Sequence, residues 1–183
     1  MARCMDGHRC PKGVLEVFER SRSALTLVDP TLDDQPLVMI NKRFCEATRY
    51  PFEEALGRNC RFLQRNEDCG NEKVRIREFL SDRTKLEGRF ILPNRTRDGE
   101  LFLNVIYLSR LRRSGQPDLI LGSQFVASKG EAAMRAYEFA LQDDLVSLGA
   151  ALNEQNWMLM GSMQAVANTS RLLAQHQLDK GSE

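Results

Sequence analysis

Eight consecutive residues, Gly57-Arg58-Asn59-Cys60-Arg61-Phe62-Leu63-Gln64, concentrate the chemistry of this chain. Cys60 offers a thiol, a nucleophile or radical partner. Asn59 and Gln64 flank it with amides that both donate and accept. Arg58 and Arg61 place cations beside it. Taken alone, the string also fits a structural cysteine beside surface arginines, because free cysteine packs as a small hydrophobe. Three more amides, Asn94, Asn104 and Gln124, stand in otherwise apolar stretches. The even spacing of the two asparagines lets both face one side of a sheet. Each alone also suits a solvent-facing position.

Elements that position these residues are legible in the apolar pattern. Pro11 can open a helix, and Val14, Leu15, Val17 and Phe18 give residues 12–21 an apolar face. Residues 24–28 and 37–40 read as strands, the first stopped by Asp29-Pro30. Asn41 caps a following helix carrying Phe44, Cys45 and Ala47. Pro51 opens a short helix and Gly57 ends it. Residues 71–82 predict a longer helix through Val74, Ile76, Phe79 and Leu80. Residues 86–92, 101–111 and 119–126 are strands, with Arg97-Asp98-Gly99 and residues 113–117 as the turns between them. Pro93 removes a backbone donor and marks an edge strand or bulge. The fold class expected is α+β: a five-stranded antiparallel sheet with helices on one face, enclosing a pocket.

Composition bounds the function. The chain has 183 residues, 42% hydrophobic and 28% charged, enough for one domain plus an extra element. Net charge is +1, no general attraction for nucleic acid or a membrane surface. No apolar run is long enough to span a bilayer. The N-terminal MARCMDGHRC has no apolar core and predicts no secretory signal. Five cysteines, an odd number, predict free thiols in a reducing cytoplasm. Cys4, His8 and Cys10 match no usual zinc spacing and have no fourth ligand nearby, so no metal is expected in what reads as a mobile tail.

Residues 129–183 hold four basic and seven acidic residues, a net −3, against 22 basic and 18 acidic in residues 1–128, a net +4. That shift places a boundary near Ser128-Lys129-Gly130. Three segments follow: 1–22, an N-terminal tail and helix; 23–128, the main domain; and 129–183, a helical extension.

The octapeptide resembles the signature of LOV domains, the flavin-binding blue-light sensors of the PAS superfamily. The resemblance runs from about Ala24 to Val126. It includes Asp29-Pro30, the helix start from Asn41 to Phe44, Tyr50-Pro-Phe-Glu-Glu-Ala-Leu, and Gly122-Ser-Gln124. It implies that Cys60 adds reversibly to the C4a carbon of a photoexcited flavin. It implies that Asn94, Asn104 and Gln124 face the ring's polar edge, with Asn59 and Gln64 as further contacts. Arg61 and Arg77 would hold the phosphate as guanidinium forks. Thr26, Leu37, Phe44, Leu63, Ile106 and Leu108 would line the ring. The short connection from Gln64 to Arg77 favours FMN over FAD, and riboflavin would also fit. Three departures bear on lifetime and output rather than on Cys60: Arg65 replaces the usual glycine, Leu103 the usual tryptophan, and two extra residues precede Asn94.

The extension carries Leu141, Leu145, Leu148 and Leu152 at helical spacing, continued by Leu159, Val166 and Leu173. Trp157, Met158, Met160 and Met163 lie beside this seam, and Gly161-Ser162 can break the helix. The expected cover is a second copy, giving a homodimer through terminal helices; the alternative is packing on its own domain. His176 lacks the neighbours of a kinase histidine, and the acidic extension makes a poor DNA reader. The resemblance therefore implies a non-enzymatic photoreceptor signalling to an unidentified downstream protein. The competing readings are a light-blind PAS-type binding or dimerisation module and a flavoenzyme. The enzyme lacks a second acid–base group beside Cys60.

Overall fold

The structure, a computed structural model, describes residues 1–11, 13–113, 115, 118–127, 130–153 and 157–159. The strands are β1 (Ala2–Cys4), β2 (Ala24–Val28), β3 (Leu37–Asn41), β4 (Glu87–Arg95), β5 (Leu101–Arg113), β6 (Leu119–Val126) and β7 (Trp157–Leu159). The α-helices are α1 (Val14–Arg20), α2 (Lys42–Thr48), α3 (Phe52–Ala55), α4 (Gly70–Ser81) and α5 (Gly130–Asn153), and Cys60–Leu63 forms a 3-10 turn. The sheet order is β1-β3-β2-β6-β5-β4, antiparallel at every pair, with β7 added to β5. All five expected strands are present. The two short additions were not foreseen.

Each addition satisfies backbone groups that would otherwise be open. β5 runs to Arg113, whereas its pairing with β4 stops at Ser109 and with β6 at Leu111. The free edge at Leu111–Arg113 pairs with β7, so the extension is not helical through Leu159 as expected. At the other end, Ala2, Arg3 and Cys4 pair with Asn41, Ile40 and Met39. The N-terminus is therefore a strand of the sheet and not a mobile tail. Cys4 and Cys10 are joined in a disulfide, which overturns the expectation of five free thiols; Cys45, Cys60 and Cys69 are free. Residues 5–8 turn the chain back, with His8 N–H donating to the Met5 carbonyl, and bring the two sulfurs together.

Asn41 organises the entry to the domain. Its side-chain oxygen accepts from the amides of Phe44 and Leu25, both at 3.0 Å, and its nitrogen donates to the carbonyls of Phe18 and Ser23. One buried amide thus caps α2 and fixes the end of α1 against β2. Arg110, buried on β5, does the same for α4. Its guanidinium donates to the carbonyls of Phe79, Leu80, Asp82 and Lys85 around that helix's C-terminus. Glu72 of α4 accepts from the exposed-edge amide of Ile91, so α4 is pinned across β4. Pro93 sits on this edge strand, as its missing donor requires.

The helices within residues 23–128 lie on one face of the sheet, as expected, and the N-terminal helix and the extension cover the other. α2, α3, the 3-10 turn and α4 pack on one side, where two apolar clusters gather Phe44, Leu63, Phe79, Phe90 and Ile106. On the other, α1 and α5 bury Phe18, Leu27, Val105, Leu121 and Phe125. Leu141, Leu145, Leu148 and Leu152 are all at most 2% exposed and belong to this second core. The seam expected to bind a second copy is therefore covered by the chain's own sheet. The physical reason is area: the five-stranded sheet has a complete apolar face that no element of 23–128 covers. Ser21 Oγ donates to Asp144 at 2.6 Å, and Tyr137 is hydrogen-bonded to Ser123 at 2.9 Å, fixing α5's register. Val166, Leu173, His176, the Gly161-Ser162 break and the boundary residues Ser128 and Lys129 lie outside the described residues.

Leu148→Ala should lower the free energy of urea unfolding by about 2–5 kcal/mol, the cost of a large-to-small change in a core. Val146→Ala, at a position 56% exposed on the same helix, should stay within about 0.5 kcal/mol.

Candidate functional site

The inner face of the sheet is set by strand alternation. Asn104, Ile106, Leu108 and Arg110 share it on β5, and Ile120, Gly122 and Gln124 share it on β6. Register places Ile106 opposite Gln124 and Leu108 opposite Gly122, with Thr26 beside Gly122 on β2. A side chain at 122 would place its Cβ 2.4 Å from Thr26 Oγ1, so glycine is required there by close approach. Thr26 Oγ1 instead donates to the Gly122 carbonyl.

The three amides expected from the sequence meet in one chain of hydrogen bonds. Asn104 Nδ2 donates to Asn94 Oδ1 at 2.8 Å and to Gln124 Oε1 at 2.9 Å. Gln124 Nε2 in turn donates to Cys60 Sγ at 3.8 Å. All three amides are buried. One acceptor, Asn104 Oδ1, is buried with no partner among the described residues. Such a group costs about 1–3 kcal/mol unless something hydrogen-bonds to it. Asn104 and Gln124 look inward because β5 and β6 pair in register, and Asn94 joins them across the β4–β5 hairpin.

Cys60 opens the 3-10 turn. Asn59 caps that turn by accepting from the Arg61 amide at 2.9 Å, while its nitrogen donates to the Asp34 carbonyl at 2.6 Å. Gly57 N–H donates to the Leu37 carbonyl and Leu37 N–H donates to the Arg58 carbonyl, which seats the turn beside β3. Burial pushes the Cys60 thiol up to about 11, against the opposing hydrogen bond from Gln124. The sulfur is therefore a protonated thiol at neutral pH. Cys45 is also pushed up to about 11, by burial and then by the charge of Glu53.

Of the expected apolar lining, Thr26, Leu37, Phe44, Leu63 and Ile106 are buried and Leu108 half-buried. Leu37, Phe44 and Leu63 share one inner cluster, with Cys60 packed against it; Ile106 belongs to the other. Gln64 is half-buried at the end of the 3-10 turn. The arginines stand apart from the amides. Arg61 is exposed and ion-paired with Asp34, and Arg77 is exposed on α4. Arg65 takes a left-handed conformation, φ 48°, where the resemblance places glycine. Its guanidinium donates to Tyr50 and to the Thr96 and Arg97 carbonyls, bridging to the β4–β5 turn. Sequence reasoning missed Ser123 and Tyr137. Their only signal was a serine on a strand's outer face and a tyrosine on a helix's apolar stripe.

Known proteins agree with this architecture. The PAS domain family matches residues 23–124, and the chain belongs to that family. Within it, the chain is a LOV (light-oxygen-voltage) protein. It is 32% identical to the solved Rhodobacter sphaeroides LOV protein, with TM-score 0.67 and 90% of both chains covered. Phototropin-2 of Oryza sativa is 33% identical over 112 residues, 61% of this chain and 12% of that protein. A blue-light photoreceptor of Listeria monocytogenes is 27% identical over 135 residues, 74% of this chain and 51% of that one. The matches thus span between about an eighth and half of these two curated relatives. No helix among the described residues is long and apolar enough to cross a membrane.

Alkylation of native Cys60 by iodoacetamide should be slow at pH 8, rise about tenfold per pH unit through pH 10, and level only near its raised value of about 11. Peptide mass spectrometry reads the rate. A plateau by pH 9 would show an unshifted thiol.

Proposed function

We propose that the chain is a blue-light photoreceptor that holds a flavin, FMN in preference to FAD or riboflavin, between the inner sheet face and Cys60. The observation that carries this reading is the partnerless Asn104 Oδ1 within a buried arc of three amides ending at a neutral thiol. A flavin's pyrimidine edge offers the ring N–H that Asn104 Oδ1 lacks, and a carbonyl that suits the second N–H of Asn94, whose first donates to the Pro93 carbonyl. Bound flavin supplies blue absorption and an electrophilic C4a carbon. Thr26, Leu37, Phe44, Leu63, Ile106 and Leu108 give its faces an apolar slot. Asn59 and Gln64 hold the turn that carries Cys60. Arg61 and Arg77 are the cations assigned to the phosphate, each swinging from its present surface position.

Cys60 would contribute a thiol whose sulfur bonds to that carbon while its proton passes to the adjacent ring nitrogen, and the proton would return to the sulfur when the bond breaks. This is a switch without turnover, so the chain is not an enzyme. With the flavin seated between them, Gln124 would turn from Cys60 to the ring nitrogen beside that carbon. Once this nitrogen carries the proton it is a donor instead of an acceptor, so the amide must reorient. A buried group left unpaired costs about 1–3 kcal/mol. Ser123 and Phe125, its neighbours on the opposite face, hold Tyr137 of α5, with rings 4.9 Å apart. A change of that size shifts a two-state docking of α5 by roughly five- to 150-fold. Light thus alters how α5 packs, and through it the contact with a second copy or a downstream protein.

The purified, flavin-reconstituted protein should be yellow, bleach in blue light and recover in darkness. Cys60→Ala should keep its flavin and lose the bleaching. A colourless reconstituted protein ends the reading and favours a light-blind PAS binding module. Gln124→Leu should bleach normally yet weaken the light-dependent change in hydrogen exchange of residues 130–153. A change as large as wild type removes Gln124 from the path.

A further inference from the structure

The N-terminal strand carries a second cluster of reactive side chains, outside the inner pocket. The sulfurs of Cys4 and Cys10 and a ring nitrogen of His8 lie within 4.8 Å of one another. Gly7, at φ 78°, makes the tight turn that folds His8 back over Cys4. Cys10 lies against the Val38 carbonyl of β3, so all three residues are held to the sheet's edge.

His8 is oriented. Its Nε2 is bonded to Asp29 Oδ2 at 3.0 Å, with both side chains only 13% exposed. Asp29 is itself fixed, since its Oδ1 accepts from the amide and hydroxyl of Thr31. The other ring nitrogen, Nδ1, faces Cys10 Sγ at 3.7 Å. A carboxylate behind an imidazole, with the free nitrogen turned to two sulfurs, is how metal-binding histidines are held. Two thiolates and one imidazole are the donors that zinc prefers, and three protein ligands leave a fourth position for water.

We propose that Cys4, Cys10 and His8 Nδ1 form a redox-gated site for a zinc-class divalent ion. The disulfide is its oxidised, closed state. A thiol or phosphine donor supplies two electrons and is oxidised, the S–S bond breaks, and the sulfurs take up two protons. Metal binding then releases those protons to solvent as the thiolates coordinate. The two states exclude each other, because sulfurs bonded to one another cannot serve as thiolate ligands. Both pin residues 5–10 over β3, so the segment stays docked while its ligand changes.

Cobalt(II) is the probe, because thiolate coordination gives it a charge-transfer band that zinc then quenches by displacement. The full chain is reduced with a phosphine, freed of it, and titrated without oxygen. The reduced wild type should take one cobalt with that band, and the oxidised chain none. Cys4→Ser and Cys10→Ser should abolish the band, while Cys69→Ser should keep it. Asp29→Asn should weaken binding by roughly ten- to 100-fold with both thiols intact. A reduced chain with native circular dichroism and all five thiols titratable, yet no band, overturns the proposal. So does a band that survives Cys4→Ser. Where a serine variant loses its native circular dichroism, Asp29→Asn decides, and unchanged affinity overturns the site.

Discussion

Strand alternation on β6 is the constraint on which the rest depends. Successive side chains point to opposite faces, so Gln124 must look inward if Ser123 and Phe125 look outward. The inward amide meets Asn104 and Cys60. The outward pair meets Tyr137. Two separate hydrophobic cores are thereby joined through three consecutive residues of one strand. A one-residue slip in register would bury the polar set against α5 and turn Phe125 into the amide cluster.

Most buried polar side chains among the described residues are paired. Asn104 Oδ1 shares its lack of a partner only with Ser23 Oγ and Arg89 Nη2, and it alone lies in the amide arc beside Cys60. Asn41 uses both ends of its amide on four backbone partners. Arg110 spends its guanidinium on the carbonyls around the end of α4. A low-polarity interior rewards complete pairing and penalises omission. The orphan oxygen at the centre of the amide arc is where a ligand's donor is wanted. The same logic explains the sheet's edges. β1 and β7 pair open backbone groups, Glu72 takes an edge amide on β4, and Pro93 has no edge donor to satisfy.

The extension changes the view of how such a domain communicates. The four leucines of α5 complete the molecule's own second core, so α5 is a structural wall of the domain. Contact with another copy or a partner must then use other surface, or follow loosening of this wall. Phe139 at 74% and Val146 at 56% exposure remain on its outer side.

Local chemistry determined much of this by sequence alone. The five long strands follow from runs of apolar residues broken by turn formers, the α2 start from Asn41, and the edge position of β4 from Pro93. Cys60 and the asparagines stood out only through the resemblance of the octapeptide and the polar positions after it, because each alone also fitted a structural or solvent-facing place. The hydrogen bond between Asn94 and Asn104 inside the sheet came from the structure. Contacts between residues far apart in sequence were decided only by the tertiary structure. The destination of the leucine seam depended on whether the sheet had a face to spare, which no helix pattern reports. The pairing of β1 and β7 depended on unfilled strand edges, and the Cys4–Cys10 disulfide on a turn at Gly7. The surface placement of Arg61 depended on Asp34 across a loop. Periodicity reveals which side of an element is apolar; what covers that side is set by the area and hydrogen-bonding groups left open when every other element has packed.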